Sequence, residues 1–287
     1  MPSSWRPVRI ERAKPLLGTI VSIRADFDDG GAGEAAVRAA FADIAKLHQL
    51  MSFQSPDSDL SRIGREGVAG PVRIDGRTAE VLAFALDLAT VSGGVFDPVT
   101  AARTAVDRGV LPRPEAARQA APDSRWSDVE LRGDQVRLRR PAWIDLGGVA
   151  KGYAVDRAIS LLAAGGARQG SVNAGGDLRV FGPEAETVRL RAPGPDEALI
   201  ELQEAALASS GWAGEGAGAL HLDGDSGRIV HPQRFASVIA RDCMTADALS
   251  KVVLARGEAA EPLLCARQAQ AHLFDPASSW RRLGGPA

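Results

Sequence analysis

Cysteine is scarce in this chain. Only Cys243 and Cys265 occur in 287 residues, too far apart for a C-x-x-C motif and without a histidine at metal-ligand spacing. Both read as small buried hydrophobes rather than metal ligands or a disulfide. An excess of one charge is also missing. The formal net charge is -2, with no basic tract and no interleaved aromatic stripe, which excludes a nucleic-acid backbone as partner. No run approaches about 18 apolar residues, so no membrane-spanning helix is expected. The opening "MPSSWRPVRIERAKPLLGTIVSI" is short of the apolar core of a secretory signal, and the expected location is the cytoplasm. Two nucleotide-loop signatures fail as well. "GGVAKG" is not G-x-G-x-x-G, and no G-K-[ST] stands where a Walker loop needs one.

What is present is a chain long enough to bury a substantial core, without an internal repeat or low-complexity linker to force a cut. One domain over residues 1–287 is expected. "GTIVSIRADF" alternates as a strand and "DDGGAG" reads as a turn. "EAAVRAAFADIAKLHQLMS" and "TAEVLAFALDLATVSG" carry helical spacing, the second stopped by Gly93 and Gly94. Residues 101–126 look less ordered or short-helical. "DVELRGDQVRLRRPAWIDL" reads as two strands about a Gly-Asp turn, followed by a helix over 149–164. Strand-like pieces recur in "GGARQGSVNAGGDLRVFG" and at 187–192, 198–209 and 235–239, and "TADALSKVVLARG" closes as a helix with a glycine stop. Hairpins mix with helix-bearing crossovers, so the class is α+β.

Six stretches could carry chemistry. In "WIDLGGVAKGYAVDRA", Asp145 precedes the Gly147-Gly148 turn and Lys151 lies in the first turn of a helix. A helix N-terminus is partially positive, so a lysine there is unfavourable unless an anion lies beside it. The other reading is an ordinary glycine turn with a solvated lysine. In "GSVNAGGDLRVFG", Asn173, Gly175, Gly176 and Asp177 form a second glycine turn. It would lie beside the first if the flanking strands are neighbours, letting a flat ligand pass over both. "SGGVFDPVT" and "MSFQSPDSDLSRIG" serve equally as a plain connection and a helix cap, the cap being Ser61 or Asp59. His221 stands among small residues. Asp247 falls in a first helical turn if Thr245 is the N-cap, where its charge suits structure alone.

Taken in order, these blocks resemble the ApbE family of FAD:protein FMN transferases over nearly the whole chain. The resemblance rests on "LLGTIVSI", "MSFQSPDSDLSRIG", "SGGVFDP", "DLGGVAKGYAVD", "VNAGGDLRVFG", "ASSG" followed by His221, and "TADALSKVVLARG". It implies an ApbE-like, T-fold-related architecture of mixed sheets with packed helices, with FAD in a cleft between the sheet layers. It implies Mg²⁺-dependent transfer of the FMN half of FAD to a threonine or serine hydroxyl of an acceptor protein, releasing AMP. Met51, Val95, Phe96, Asp97, Asp145, Lys151 and Leu222 match flavin-nucleotide contacts, and the second glycine turn is counted with them. Gly148 matches a carbonyl ligand of the metal, Asp247 its carboxylate, and His221 a histidine near the reacting phosphate. His221 and Asp247 are therefore the catalytic candidates, and His221 ranks first as the base.

One position departs. The family usually carries threonine four residues after the metal aspartate, and here that residue is Lys251. Ser250 does not substitute, because adjacent helix residues point about 100° apart. Either the metal site has lost a ligand or the Lys251 ammonium replaces part of the cation's charge, and weaker or altered Mg²⁺ dependence is expected. Phe53 stands where tyrosine is common, and "HLDGDSG" replaces H-I-I-D-P-x-T-G. A Mg²⁺-dependent FAD pyrophosphatase would use nearly the same residues, and Lys251 also suits a non-catalytic FAD-binding protein.

Overall fold

A computed structural model gives the fold and describes residues 7–115, 117–190, 198–211 and 221–285. The chain opens with a hairpin, β1 (Val8–Leu16) and β2 (Thr19–Phe27). It runs on through α1 (Gly30–Met51), α2 (Asp59–Glu66), β3 (Val72–Arg73), α3 (Gly76–Val91) and α4 (Pro98–Asp107). A short hairpin, β4 (Val129–Arg132) and β5 (Gln135–Leu138), leads to α5 (Ala150–Ala164), β6 (Ala167–Ala174) and β7 (Asp177–Phe181). Then follow β8 (Glu186–Leu190), β9 (Ala198–Leu202), β10 (Ala206–Gly211), β11 (Phe235–Ala240) and α6 (Cys243–Arg256). The last elements are α7 (Glu261–Ala266), β12 (Gln270–Asp275) and β13 (Ser279–Gly284).

Eight strands form one sheet in the order β1-β2-β6-β7-β10-β11-β12-β13, beside a three-stranded sheet β3-β5-β4 and the hairpin β8-β9. The α+β class holds. Among the described residues every ladder is antiparallel, so the sheets are not mixed in direction. Helices α1, α5 and α6 lie side by side on one face of the large sheet, α6 against β10 and β11 and α5 against β6 and β7. The alternation of β7 explains how both faces are used. Leu178 and Val180 pack with Leu190, Ile200 and Leu202 of the β8-β9 hairpin. Asp177 and Arg179, on the other face, meet Lys151 and Asp156 of α5.

Local chemistry sets the boundaries. The glycines of "DDGGAG" belong to α1 rather than to a turn, because the Asp29 side chain accepts from the Gly31 and Ala32 N–H groups and caps the helix. α2 is capped by Ser58, whose hydroxyl accepts from the Ser61 N–H, and not by Ser61 or Asp59. The piece at 198–209 divides into β9 and β10, and residues 191–192 of the piece at 187–192 lie outside the described residues. α6 is buried on most of its circumference, as befits a helix inside the protein. Gly152 is what lets α5 approach it. A Cβ there would stand 2.3 Å from the Cys243 carbonyl oxygen. Both cysteines are free. Cys243 is buried as expected, and burial pushes its thiol well up, while Cys265 is exposed because α7 buries only Leu264.

Candidate active site

A cleft of about 290 Å³ opens between the α3–α4 turn, the glycine turn before α5, the 221–224 loop and α6. Its apolar wall is Val95, Phe96, Ala101, Ala105, Val110 and Leu222, and its polar side carries Asp145, His221 and Lys251. None of its lining residues lies in a strand. The turn and the loop are tied together, since the Gly224 N–H donates to the Val95 carbonyl at 2.9 Å. Arg256 of α6 holds the same loop through Asp223 at 3.2 Å and Asp225 at 2.9 Å.

Asp97 stands at the cleft but spends its carboxylate on structure. It caps α4 by accepting from the Val99 and Thr100 N–H groups at 2.8 and 3.1 Å, and it also accepts from the Thr100 hydroxyl and the Trp126 N–H. Asp145 accepts from the Gly147 N–H at 2.8 Å, and burial raises its carboxyl above the ordinary value despite that bond.

Beside the cleft, α5, β7 and α6 bring four charged side chains together. The Lys151 ammonium bonds the Asp177 carboxylate and lies 3.9 Å from Asp247 Oδ1. The Lys251 ammonium bonds the same Asp247 Oδ1 and donates to the Asp247 carbonyl at 2.9 Å. Asp247 Oδ2 accepts the Gly152 N–H at 3.1 Å. α5 has no side-chain cap of its own, so a carboxylate from α6 satisfies an N–H of its first turn. The anions beside Lys151 are thus Asp177 and Asp247, both fully buried. Burial acts against the Lys151 charge, but Asp247 and Asp177 outweigh it and raise its pKa. Burial and the Asp247 carboxylate lift Asp177 to about 6 against the pull of both lysines.

The N-cap of α6 is Asp242, which accepts from the Thr245 N–H at 2.7 Å, so Thr245 is not the cap and Asp247 falls in the second turn. Ser250 points away from the cleft to the Ser210 hydroxyl at 2.7 Å. His221 accepts the Gly211 N–H at Nε2, 3.2 Å away, which leaves the proton of the neutral ring on Nδ1. Burial, then the charges of Lys251 and Lys151, lower its pKa to about 4. Residues 212–220, which separate "ASSG" from His221, lie outside the described residues.

Of the expected site residues, Val95, Phe96, Asp97, Asp145, Gly148, His221, Leu222 and Lys251 line the cleft, and Lys151, Asp177 and Asp247 adjoin it. Met51, Asn173, Gly175 and Gly176 do not line it. Met51 is core at the end of α1. Asn173 accepts the Gly176 N–H at 2.9 Å, closing the β6-β7 hairpin with Gly175 and Gly176 at positive φ. Sequence reasoning missed Ala101, Ala105 and Val110, which sit in a segment too rich in alanine and arginine to show a period. It also missed Gly224, whose signal was the unusual "HLDGDSG".

The model of the ApbE family matches residues 17–274. The chain belongs to the ApbE family. ApbE relatives include the FAD:protein FMN transferase of Treponema pallidum, 28% identical over 63% of this chain and 54% of its own length. This chain therefore spans about half of that relative. The FAD:protein FMN transferase of Haemophilus influenzae is 28% identical over 76% of this chain and 71% of its own. The apo crystal structure of the flavinyl transferase ApbE of Pseudomonas stutzeri superposes with a TM-score of 0.82 at 20% identity, covering 99% of this chain and 96% of that one. The shared ApbE fold thus covers nearly the whole chain. No helix among the described residues is long and apolar enough to cross a membrane.

Proposed function

We propose that this chain transfers the FMN moiety of FAD to a serine or threonine hydroxyl of an acceptor protein and releases AMP. The observation that carries the reading is the junction of an apolar cleft of about 290 Å³ with a two-lysine cluster suited to a pyrophosphate. Family membership and the names of the relatives agree with it. The acceptor oxygen bonds to the FMN phosphorus, the bond from that phosphorus to the bridging oxygen breaks, and AMP leaves with that oxygen and its charge. Lys151 and Lys251 stabilise the developing charge. His221 takes the hydroxyl proton at Nε2 once the Gly211 N–H has released that atom.

Phe96 and Leu222 hold the flavin, and Val95 and Asp145 border it. Asp97 keeps the wall in place through its cap. Asp177 and Asp247 position the ammonium groups, and the Asn173, Gly175 and Gly176 turn fixes the strand that carries Asp177. Mg²⁺, which the resemblance implies, fits these residues poorly. Its expected carboxylate is already engaged by Lys251 and Gly152, and no group of three or more acidic, histidine or cysteine side chains among the described residues could hold a metal.

Incubating the purified chain with FAD and a domain bearing an acceptor Ser/Thr, and following AMP, free FMN and acceptor mass, tests the proposal. Covalent FMN on the acceptor supports transfer. Free FMN with AMP and no labelled acceptor would replace transfer with hydrolysis, and intact bound FAD would replace it with carriage.

A further inference from the structure

Every oxygen through which Asp247 could hold a cation is already in use. Oδ1 meets the Lys251 ammonium, with Lys151 3.9 Å away. Oδ2 takes the Gly152 N–H at 3.1 Å. The carbonyl oxygen takes the Ser250 hydroxyl at 2.7 Å and the Lys251 ammonium at 2.9 Å. The Lys251 stem also passes Gly148, its Cε 3.7 Å from where a Cβ on that glycine would stand. One side chain therefore occupies the space between the carboxylate and the glycine turn that a bound cation would need. A divalent ion ligated at Asp247 would sit about 2.0–2.1 Å from these same oxygens, where the ammonium group is. Two cations cannot share that position.

The charge balance agrees. Asp177 and Asp247 contribute two negative charges, and Lys151 and Lys251 contribute two positive ones, so the buried cluster is matched without an ion. Both lysines keep an opening to solvent, with side chains 32% and 20% exposed. Lys251 reaches the cleft directly as a lining residue.

We propose that the Lys251 ammonium is the resident cation of this site. It takes the divalent-metal position at Asp247, so the chain binds a dinucleotide pyrophosphate against two lysines and has no requirement for Mg²⁺. The pyrophosphate part rests on the flavin reading above. The metal part does not.

The test uses Mn²⁺ as a paramagnetic probe for the free-ion signal, with the purified full chain, alone and with FAD. The wild-type chain is expected to leave the Mn²⁺ signal undiminished. Lys251→Thr, which removes the ammonium and supplies a hydroxyl, is expected to take up about one Mn²⁺ per chain, displaceable by Mg²⁺. FAD affinity of the wild type is expected to change less than about twofold between EDTA and millimolar Mg²⁺, while that of Lys251→Thr rises about tenfold or more with Mg²⁺. Displaceable Mn²⁺ uptake by the wild type, uptake by neither protein, or wild-type FAD binding that needs Mg²⁺ would each overturn the proposal. If the variant does not fold, the wild-type Mn²⁺ and EDTA measurements still decide. If FAD binds under no condition the flavin reading fails, and the Mn²⁺ titration alone judges Lys251.

Discussion

The Gly152 N–H of α5 donates to Asp247 Oδ2 of α6 at 3.1 Å, in a place where the two helices come too close for any side chain on Gly152. One contact thus does two things. It caps a helix that has no cap of its own, and it fixes the carboxylate that holds both lysines. Gly152→Ala puts a methyl 2.3 Å from the Cys243 oxygen and 2.8 Å from the Met244 Cα, both backbone atoms with nowhere to turn. The helices must part, and a loss of about 2–3 kcal/mol is expected in urea unfolding. Flavin affinity should fall with it.

Removing the carboxylate is a different experiment from removing the space. Asp247→Ala leaves Lys251 and Lys151 with Asp177 as their remaining acidic partner in the cluster and strips the Gly152 N–H of its acceptor. Asp247 is fully buried, so the expected cost is about 3 kcal/mol, read as a lower midpoint in denaturant. Asp247→Asn retains an oxygen for Gly152 and should recover part of that loss without recovering the rate of AMP release. Equal midpoints for the two variants would show that charge, and not the cap, dominates.

Asp97 separates structure from binding. Its carboxylate accepts four hydrogen bonds, three of them from the first turn of α4. Asp97→Ala is expected to cost about 1–2 kcal/mol of stability through the lost cap. FAD affinity measured well below the melting temperature should change little, because both carboxylate oxygens are engaged by α4 and the Trp126 N–H. A large affinity loss in a protein of unchanged stability would reverse that assignment.

The sequence made α1, α3, α5, α6 and the hairpins around Gly133 and Gly175 legible, because periodicity and glycine or aspartate punctuation agree there. It hid β1, where charged residues sit on an exposed edge strand, and it misplaced the cap of α2, because Ser58, Asp59 and Ser61 are all residue types that cap a helix and only the Ser58 hydroxyl does so. The lysine-carboxylate cluster was half visible. Lys151 at a helix start demanded an anion, but nothing in the order of residues said that Asp177 and Asp247 would supply it from a strand and another helix. Those contacts depend on how closely α5 and α6 pack, which a one-dimensional pattern does not encode. The departure at Lys251 was visible, and the structure shows what it touches.

His221 makes a prediction in pH. Its pKa in the folded chain, about 4, lies below the ordinary 6.5, so the folded protein resists protonation that the unfolded chain accepts. The contribution to stability is fully present above pH 6.5 and is lost as pH falls through 4. The melting temperature of the wild type should therefore drop over that interval. His221→Gln, which can keep an acceptor for the Gly211 N–H but does not titrate, should show a shallower drop, measured by thermal unfolding at matched ionic strength. The same pKa governs the base proposed for transfer. Since the imidazole stays neutral down to about pH 4, AMP release should show no acid limb near 6.5 attributable to this residue. A limb at 6.5 that vanishes in His221→Gln would mean that the cleft rehydrates this histidine when substrate binds, and His221→Ala releasing AMP at the parent rate would remove it from the reaction altogether.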